Sequence, residues 1–239
     1  MHLIKIVQNP DELSITAAEL FIEIANDAIE KSGRFTVALS GGSTPKAMYR
    51  KLVSSNLDWK RVFFFFGDER NVPPGDEQSN FHMAENVLFK PLNLCQENIY
   101  RWQTEFGVPE KITIDYSKTI QSFFQGFPRF DLMLLGLGTD GHTASLFPDT
   151  DALSEQSEIA VANWVKSMNE YRFTLTFPVI NNASNVVFLV SGKEKSAILK
   201  NVLDDRIFPE LLPAQLVNPK DGNLFWLIDK PAAALLRAV

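Results

Sequence analysis

The sequence is poor in the residues that most often announce a chemistry. Its 239 residues hold one cysteine, Cys95, in the stretch NLCQEN, so an internal disulfide framework and a Cys-rich metal cluster both lack partners. A reducing compartment, the cytoplasm, is the expected setting. With no cysteine or histidine beside it, Cys95 is expected to be a loop or packing residue rather than a nucleophile. Histidine is nearly as scarce: only His2, His82 and His142 occur. A His-rich metal site is therefore excluded, and neither HExxH nor a GxSxG nucleophile elbow is present. MHLIKIVQNPDEL lacks a basic stretch leading into a long apolar one, so no signal peptide is expected, and no apolar run approaches a membrane span. The net charge is −6 with no basic cluster, which argues against nucleic acid as a partner. An anionic small molecule would need cations placed locally against that background. Repeats, low-complexity tracts and linkers are absent as well.

What is present is an alternation. Apolar or β-branched runs at 2–7, 34–40, 61–66, 132–135, 185–191 and 223–229 read as strands. Helical patterns separate them, at 11–32, 46–55, 79–92, 108–125, 194–203 and over the final KPAAALLRAV. The segments 158–165 and 171–177 alternate like the arms of a hairpin. Continuous runs such as RVFFFF suit parallel strands buried on both faces. The expected fold is α/β and Rossmann-like: one domain over 1–239, with a mostly parallel sheet and helices on both faces.

In such sheets ligands gather beyond the carboxyl ends of the strands, and the loops there carry the informative residues. The strand at 34–40 runs into Ser40-Gly41-Gly42-Ser43-Thr44-Pro45 and then a helix. Glycines let backbone N–H groups approach an anion, and the helix start adds open donors, so Gly41, Gly42, Ser43 and Thr44 are candidates for a phosphate cradle. An ordinary βα turn with a Ser/Thr cap is the plain alternative, and the Walker A spacing is absent. RVFFFF ends in Gly67-Asp68-Glu69-Arg70, where Asp68 and Arg70 are expected to face substrate; a solvated loop is the plain alternative and stays open for Glu69. Arg172, heading the second hairpin strand, and Lys193, at the next strand-to-helix loop, are further cations.

The stretch FDLMLLGLGTDGHTASLFP, 130–148, carries the chemistry. Gly136-x-Gly138-x-x-Gly141 satisfies the dinucleotide fingerprint by letter, but Asp140 would repel a pyrophosphate, and Glu155 and Glu158 precede the next strand instead of ending it. His142, an imidazole suited to proton transfer near neutral pH, is the candidate base, with Asp140 as a carboxylate that could fix its tautomer. Together these residues point to acid–base chemistry on a phosphorylated small molecule.

LSGGSTP (39–45), FGDERNVP followed by SN (66–73, 79–80), LGLGTDGHTASLFP (135–148), RFTLTFPVIN (172–181), VSGKEK (190–195) and PAQLVNP…LFWLID (213–229) resemble the 6-phosphogluconolactonases, in order and approximate spacing. The resemblance implies a fold shared with glucosamine-6-phosphate deaminases, no metal or cofactor, and hydrolysis of 6-phospho-D-glucono-1,5-lactone in the cytoplasm. It gives Gly41, Gly42, Ser43 and Thr44 the phosphate loop, His142 the role of general base, and Asp68, Arg70, Arg172 and Lys193 contacts to substrate. Phe66 stands where many members carry Trp, a departure that bears on packing. The deaminase branch typically reads DEY and DGHIAFNEP, whereas this chain reads DER and DGHTASLFP. A non-catalytic sugar-phosphate sensor is a further alternative, though a pure binder has no need of a base.

Overall fold

A computed structural model of the chain describes residues 2–203 and 212–236. In chain order the strands are β1 (His2–Val7), β2 (Phe35–Leu39), β3 (Val62–Phe66), β4 (Asp68–Arg70), β5 (Leu132–Leu135), β6 (Ala160–Val165), β7 (Glu170–Leu175), β8 (Asn185–Val190) and β9 (Asn223–Asp229). The helices are α1 (Pro10–Ser32), α2 (Ser43–Leu52), α3 (Asn80–Ala84), α4 (Pro109–Phe124), α5 (Phe177–Ile180) and α6 (Ser196–Leu203). Six strands form one parallel sheet in the order β1-β9-β8-β5-β2-β3. Its centre is as dry as the apolar runs require: every residue of β2 and β5 is buried.

Local signals set the element ends. The Asn9 side chain accepts from the Glu12 amide, Pro10 occupies the first turn of α1, and Gly33 closes the helix in the left-handed region at φ 77°. Leu13, Ala17, Phe21, Ile24 and Ala28 form its buried stripe. The helix expected over 79–92 is shorter and mixed: α3 passes into a π turn at Glu85–Phe89, closed by the Lys90 amide on the Glu85 carbonyl. The expected C-terminal helix is a 3-10 turn at Ala232–Leu235, and 237–239 lie outside the described residues.

The chain leaves β2 outward to β3 and returns to β5 on the other side of β2. The loops after β2 and β5 therefore open side by side, at the switch point where α/β sheets collect ligands. A second sheet, β4-β7-β6, is antiparallel and adds a layer beside that edge. The hairpin β6–β7 follows the sequence pattern, whereas β4 corrects it. Asp68-Glu69-Arg70 is a paired strand and not a solvated loop, with Asp68 opposite Thr174, Glu69 opposite Phe173 and Arg70 opposite Arg172. No local propensity marks three charged residues as a strand; their ladder partner lies about a hundred residues further on. Gly67 is the seam between the sheets: its N–H donates to Leu39 O (2.9 Å) and its C=O accepts from the Leu175 amide (2.8 Å).

Two buried tyrosines fasten the strand ends beside this seam. The Tyr116 hydroxyl accepts from the Phe66 amide (2.8 Å) and donates to the Phe66 carbonyl (3.1 Å). The Tyr49 hydroxyl makes the same pair of bonds to Ser40. Trp102 stacks on Tyr116 at 3.9 Å between centroids and donates to Phe66 O. Phe66 itself packs edge-on to Phe81 and Phe89.

Candidate active site

A cleft of about 310 Å³ lies at the carboxyl edge of the large sheet, between the loops after β2 and β5 and the β4–β7 pair. Gly41, Gly42, Ser43, Thr44, Asp68, Arg70, His142 and Arg172 all line it. Lys193 does not: it is exposed, and Lys195, two residues on, takes the place at the cleft wall. A larger groove of about 900 Å³ runs between α1 and the amino ends of β5, β8 and β9, but holds none of the predicted residues. No group of three or more His, Cys, Asp or Glu placed to hold a metal occurs among the described residues.

The loop after β2 is built for close approach. Gly42 precedes α2 with φ 103°, a conformation that favours glycine. No side chain caps this ten-residue helix, so its first amides remain open donors toward the cleft. Ser43 and Thr44 are its first two residues rather than caps.

Arg70 and Arg172 are register partners, so their side chains leave the same face of the small sheet, and both reach the cleft. Arg172 is held by Glu170, through Nε at 2.8 Å and Nη2 at 2.6 Å to Oε1. Arg70 Nη1 donates to Gln78 O (3.2 Å) and to Asn80 Oδ1. Like charges directly opposite destabilise a strand pair, so two guanidiniums on one wall make a place for an anion.

Asp68 is buried and its carboxylate is occupied. Oδ1 accepts from Asn80 Nδ2 (3.1 Å) and Oδ2 from Ser145 Oγ (2.9 Å), which ties β4 to the loop that carries His142. Glu69, for which a solvated position was the open alternative, is 2% exposed. Its carboxylate accepts from the Asn80, Phe81 and Arg70 amides and from Ser79 Oγ, and so anchors the start of α3. Burial pushes its carboxyl above the usual range, and these donors pull against that shift.

The loop after β5 presents the imidazole. Asp140 Oδ1 accepts from His142 Nδ1 (2.5 Å) and from the His142 amide (3.1 Å), so a carboxylate two residues away does reach the ring. Burial pushes the Asp140 carboxyl up, but the hydrogen bond and charge of His142 outweigh it and leave the group below its ordinary value. With Nδ1 committed as donor, Nε2 of the neutral ring carries the lone pair. Phe147 stacks on the ring at 4.1 Å. On another side Gly138 leaves no room: an added Cβ would overlap Nδ1 and Cε1 of His142 and meet Asp140 Oδ1. The middle glycine of the dinucleotide-like spacing thus makes room for an imidazole, Gly141 faces Leu212, and turns with a Thr143–Leu146 bridge follow where that fingerprint needs a helix.

The family model for glucosamine-6-phosphate isomerases/6-phosphogluconolactonase matches residues 8–226. The chain belongs to this family. Among relatives of the glucosamine-6-phosphate isomerase/6-phosphogluconolactonase family, a 6-phosphogluconolactonase from Nostoc sp. (strain PCC 7120) is 38% identical over 234 residues, covering 95% of this chain and 96% of that one. A solved 6-phosphogluconolactonase from Trypanosoma brucei superposes with a TM-score of 0.89 at 29% identity, covering 99% of each chain. A monomeric glucosamine-6-phosphate deaminase, at 21% identity and TM-score 0.81 over 98% of this chain and 99% of that one, shares the fold.

Several residues of the site carry no clear signal in the sequence. Ser145 lay inside a quoted motif without an assigned role, Glu170 had no mark beyond charge, and Lys195 was eclipsed by Lys193. Asp229, fully buried at the end of β9, accepts from Ser191 Oγ (2.6 Å) and the Gly192 amide and fastens the loop that leads to Lys195. A polar residue closing the apolar run NLFWLID was the available signal.

Proposed function

We propose that this chain hydrolyses 6-phospho-D-glucono-1,5-lactone to 6-phospho-D-gluconate, the lactonase step of the pentose phosphate pathway, in a reducing cytoplasm. The observation that carries the reading is the placement of the Asp140-held His142 in the same cleft as the opposed Arg70 and Arg172. A base and a pair of cations lining one small cavity suit a sugar ring that carries both an ester and a phosphate.

His142 Nε2 takes a proton from water, and the oxygen adds to C1 of the lactone. The tetrahedral oxyanion is stabilised by hydrogen-bond donors of the cleft wall, while Arg70 is engaged with the phosphate. Collapse breaks the bond from C1 to the ring oxygen, and His142 returns its proton to that oxygen as it leaves. Asp140 supports the imidazolium and holds the ring in place throughout. Water is the sole co-reactant, and the products are a carboxylic acid, which ionises, and a free hydroxyl. The open amides at the start of α2, with Arg172 and Lys195, supply donors for phosphate and sugar hydroxyls.

Lactone turnover above the uncatalysed rate tests this reading, with glucosamine 6-phosphate assayed in parallel. Turnover of the lactone alone is expected. Deamination of the amino sugar would move the chain to the other branch, and binding without turnover of either would make it a sensor.

A further inference from the structure

Asn80 follows Ser79 in the SN that trails the GDER stretch, and it is buried at the first position of α3. Its amide donates to Glu69 Oε1 at 2.8 Å, and Ser79 caps the turn by accepting from the His82 amide. The backbone from which its side chain leaves is therefore fixed on both sides.

That carboxamide joins three parts of the cleft. Nδ2 donates to Asp68 O (2.9 Å) and Asp68 Oδ1 (3.1 Å), while Oδ1 accepts from Arg70 Nη1. The chemistry of the neighbours dictates this orientation: a guanidinium can only donate, and the two Asp68 oxygens accept. The third part is the anion loop. A Cβ built on Gly41 would overlap the Asn80 carboxamide and approach Arg70 Nη1 to 2.8 Å, so Gly41 lies directly against both groups. Aspartate would lose the donor arm, leucine both arms, and glutamine would need room that Gly41 leaves only for the shorter amide.

We infer that Asn80 is a positioning residue for the proposed lactonase: anchored on Asp68, it aims the Arg70 guanidinium along the Gly41 loop at the substrate phosphate. It rests on the lactonase reading of the same cleft. Asn80 touches no reacting atom. Arg70 has four bonds about which its side chain can turn, and without an acceptor at Asn80 its remaining tie is the Gln78 carbonyl at 3.2 Å. The penalty of losing Asn80 thus falls on phosphate affinity more than on the chemical step.

The experiment is a double-mutant cycle of Asn80→Ala and Arg70→Ala, read by KM and kcat for the lactone and by competitive inhibition with inorganic phosphate. Asn80→Ala alone is expected to raise KM and the phosphate inhibition constant about tenfold, with kcat within about threefold. In the Arg70→Ala background the same change is expected to alter KM by less than about twofold, because the residue it aims is gone. Equal effects in both backgrounds, or a fall in kcat at constant KM, would overturn the inference. Circular dichroism and melting temperature accompany each variant. Should Asn80→Ala fail to fold, Asn80→Leu, of similar size but without either polar arm, takes its place with the same expected pattern. An absence of lactone turnover by the unaltered protein would defeat the functional reading instead, while direct binding of inorganic phosphate, measured by titration calorimetry on the same variants, would still decide the aim of Arg70.

Discussion

The Tyr49 hydroxyl meets both polar backbone groups of Ser40: it accepts the amide at 3.1 Å and donates to the carbonyl at 2.8 Å. Ser40 is the residue at which the glycine loop after β2 begins, and Tyr49 is fully buried. Its phenol is pushed well above its ordinary value, first by burial, so it remains a donor across any working pH. Tyr49→Phe leaves a buried N–H and C=O unpaired and should cost about 2–3 kcal/mol, read from the denaturant midpoint at constant m-value. KM should rise with it, since the loop loses its fastening.

His142→Ala should lower kcat by about 100- to 10,000-fold, the usual range for a lost general base, with the melting temperature nearly unchanged. The side chain is 27% exposed and its bonded partner Asp140 is 47% exposed, so no sealed polar group is stranded. A kcat close to the unaltered value would remove the imidazole from the mechanism.

Gly138→Ala separates position from chemistry. The new methyl would occupy the space of His142 Nδ1 and displace the ring while leaving the imidazole in the chain. A displacement of about 1 Å can cost about 100-fold in rate, so kcat should fall steeply with far less change in unfolding free energy.

Arg172→Ala should raise KM more than it lowers kcat, and weaken inhibition by inorganic phosphate. Glu170→Gln should act in the same sense but less, because it removes a support of the guanidinium and not the cation. The reverse pattern for Arg172 would put it at the reacting carbon.

Acid stability carries a separate mark. The Glu155 carboxylate accepts from the Ser157 and Glu158 amides and from Ser157 Oγ, and these bonds pull its carboxyl from 4.5 to about 2. A carboxyl lowered on folding stabilises the native state above its unfolded value, and that contribution disappears as pH falls through the folded one. Glu155→Gln should therefore flatten the loss of stability between pH 4.5 and 2. Asp140, also lowered, loses its support in the same direction on acidification. Urea melts at stepped pH measure both, and the exposure of Glu155 keeps its effect small.

Much of this architecture was legible because burial writes itself into composition. Apolar runs such as VFFFF marked the parallel strands, and Pro10 with Gly33 marked a helix from both ends. The loops holding His142 and Gly41 were legible for the same reason, since each interrupts such a run. What stayed hidden depends on partners far away in the chain. Asp68–Arg70 becomes a strand only because Arg172–Thr174 lies beside it, and that pairing buries Glu69 where charge alone suggested water. Choosing Lys195 over Lys193 required the turn of a 3-10 helix at Lys193–Lys195, which spacing alone does not orient.

Gly67 joins the two sheets through a single peptide on each side. On the proposed reading, the reacting end of the substrate belongs to one piece of the fold, the loop after β5, and the arginine grip to the other. The two pieces are also laced together: Thr174 Oγ1 accepts from the Ser145 amide and Asn163 Nδ2 donates to the Ser145 carbonyl, so a shift of the hairpin β6–β7 is carried into the loop that holds His142.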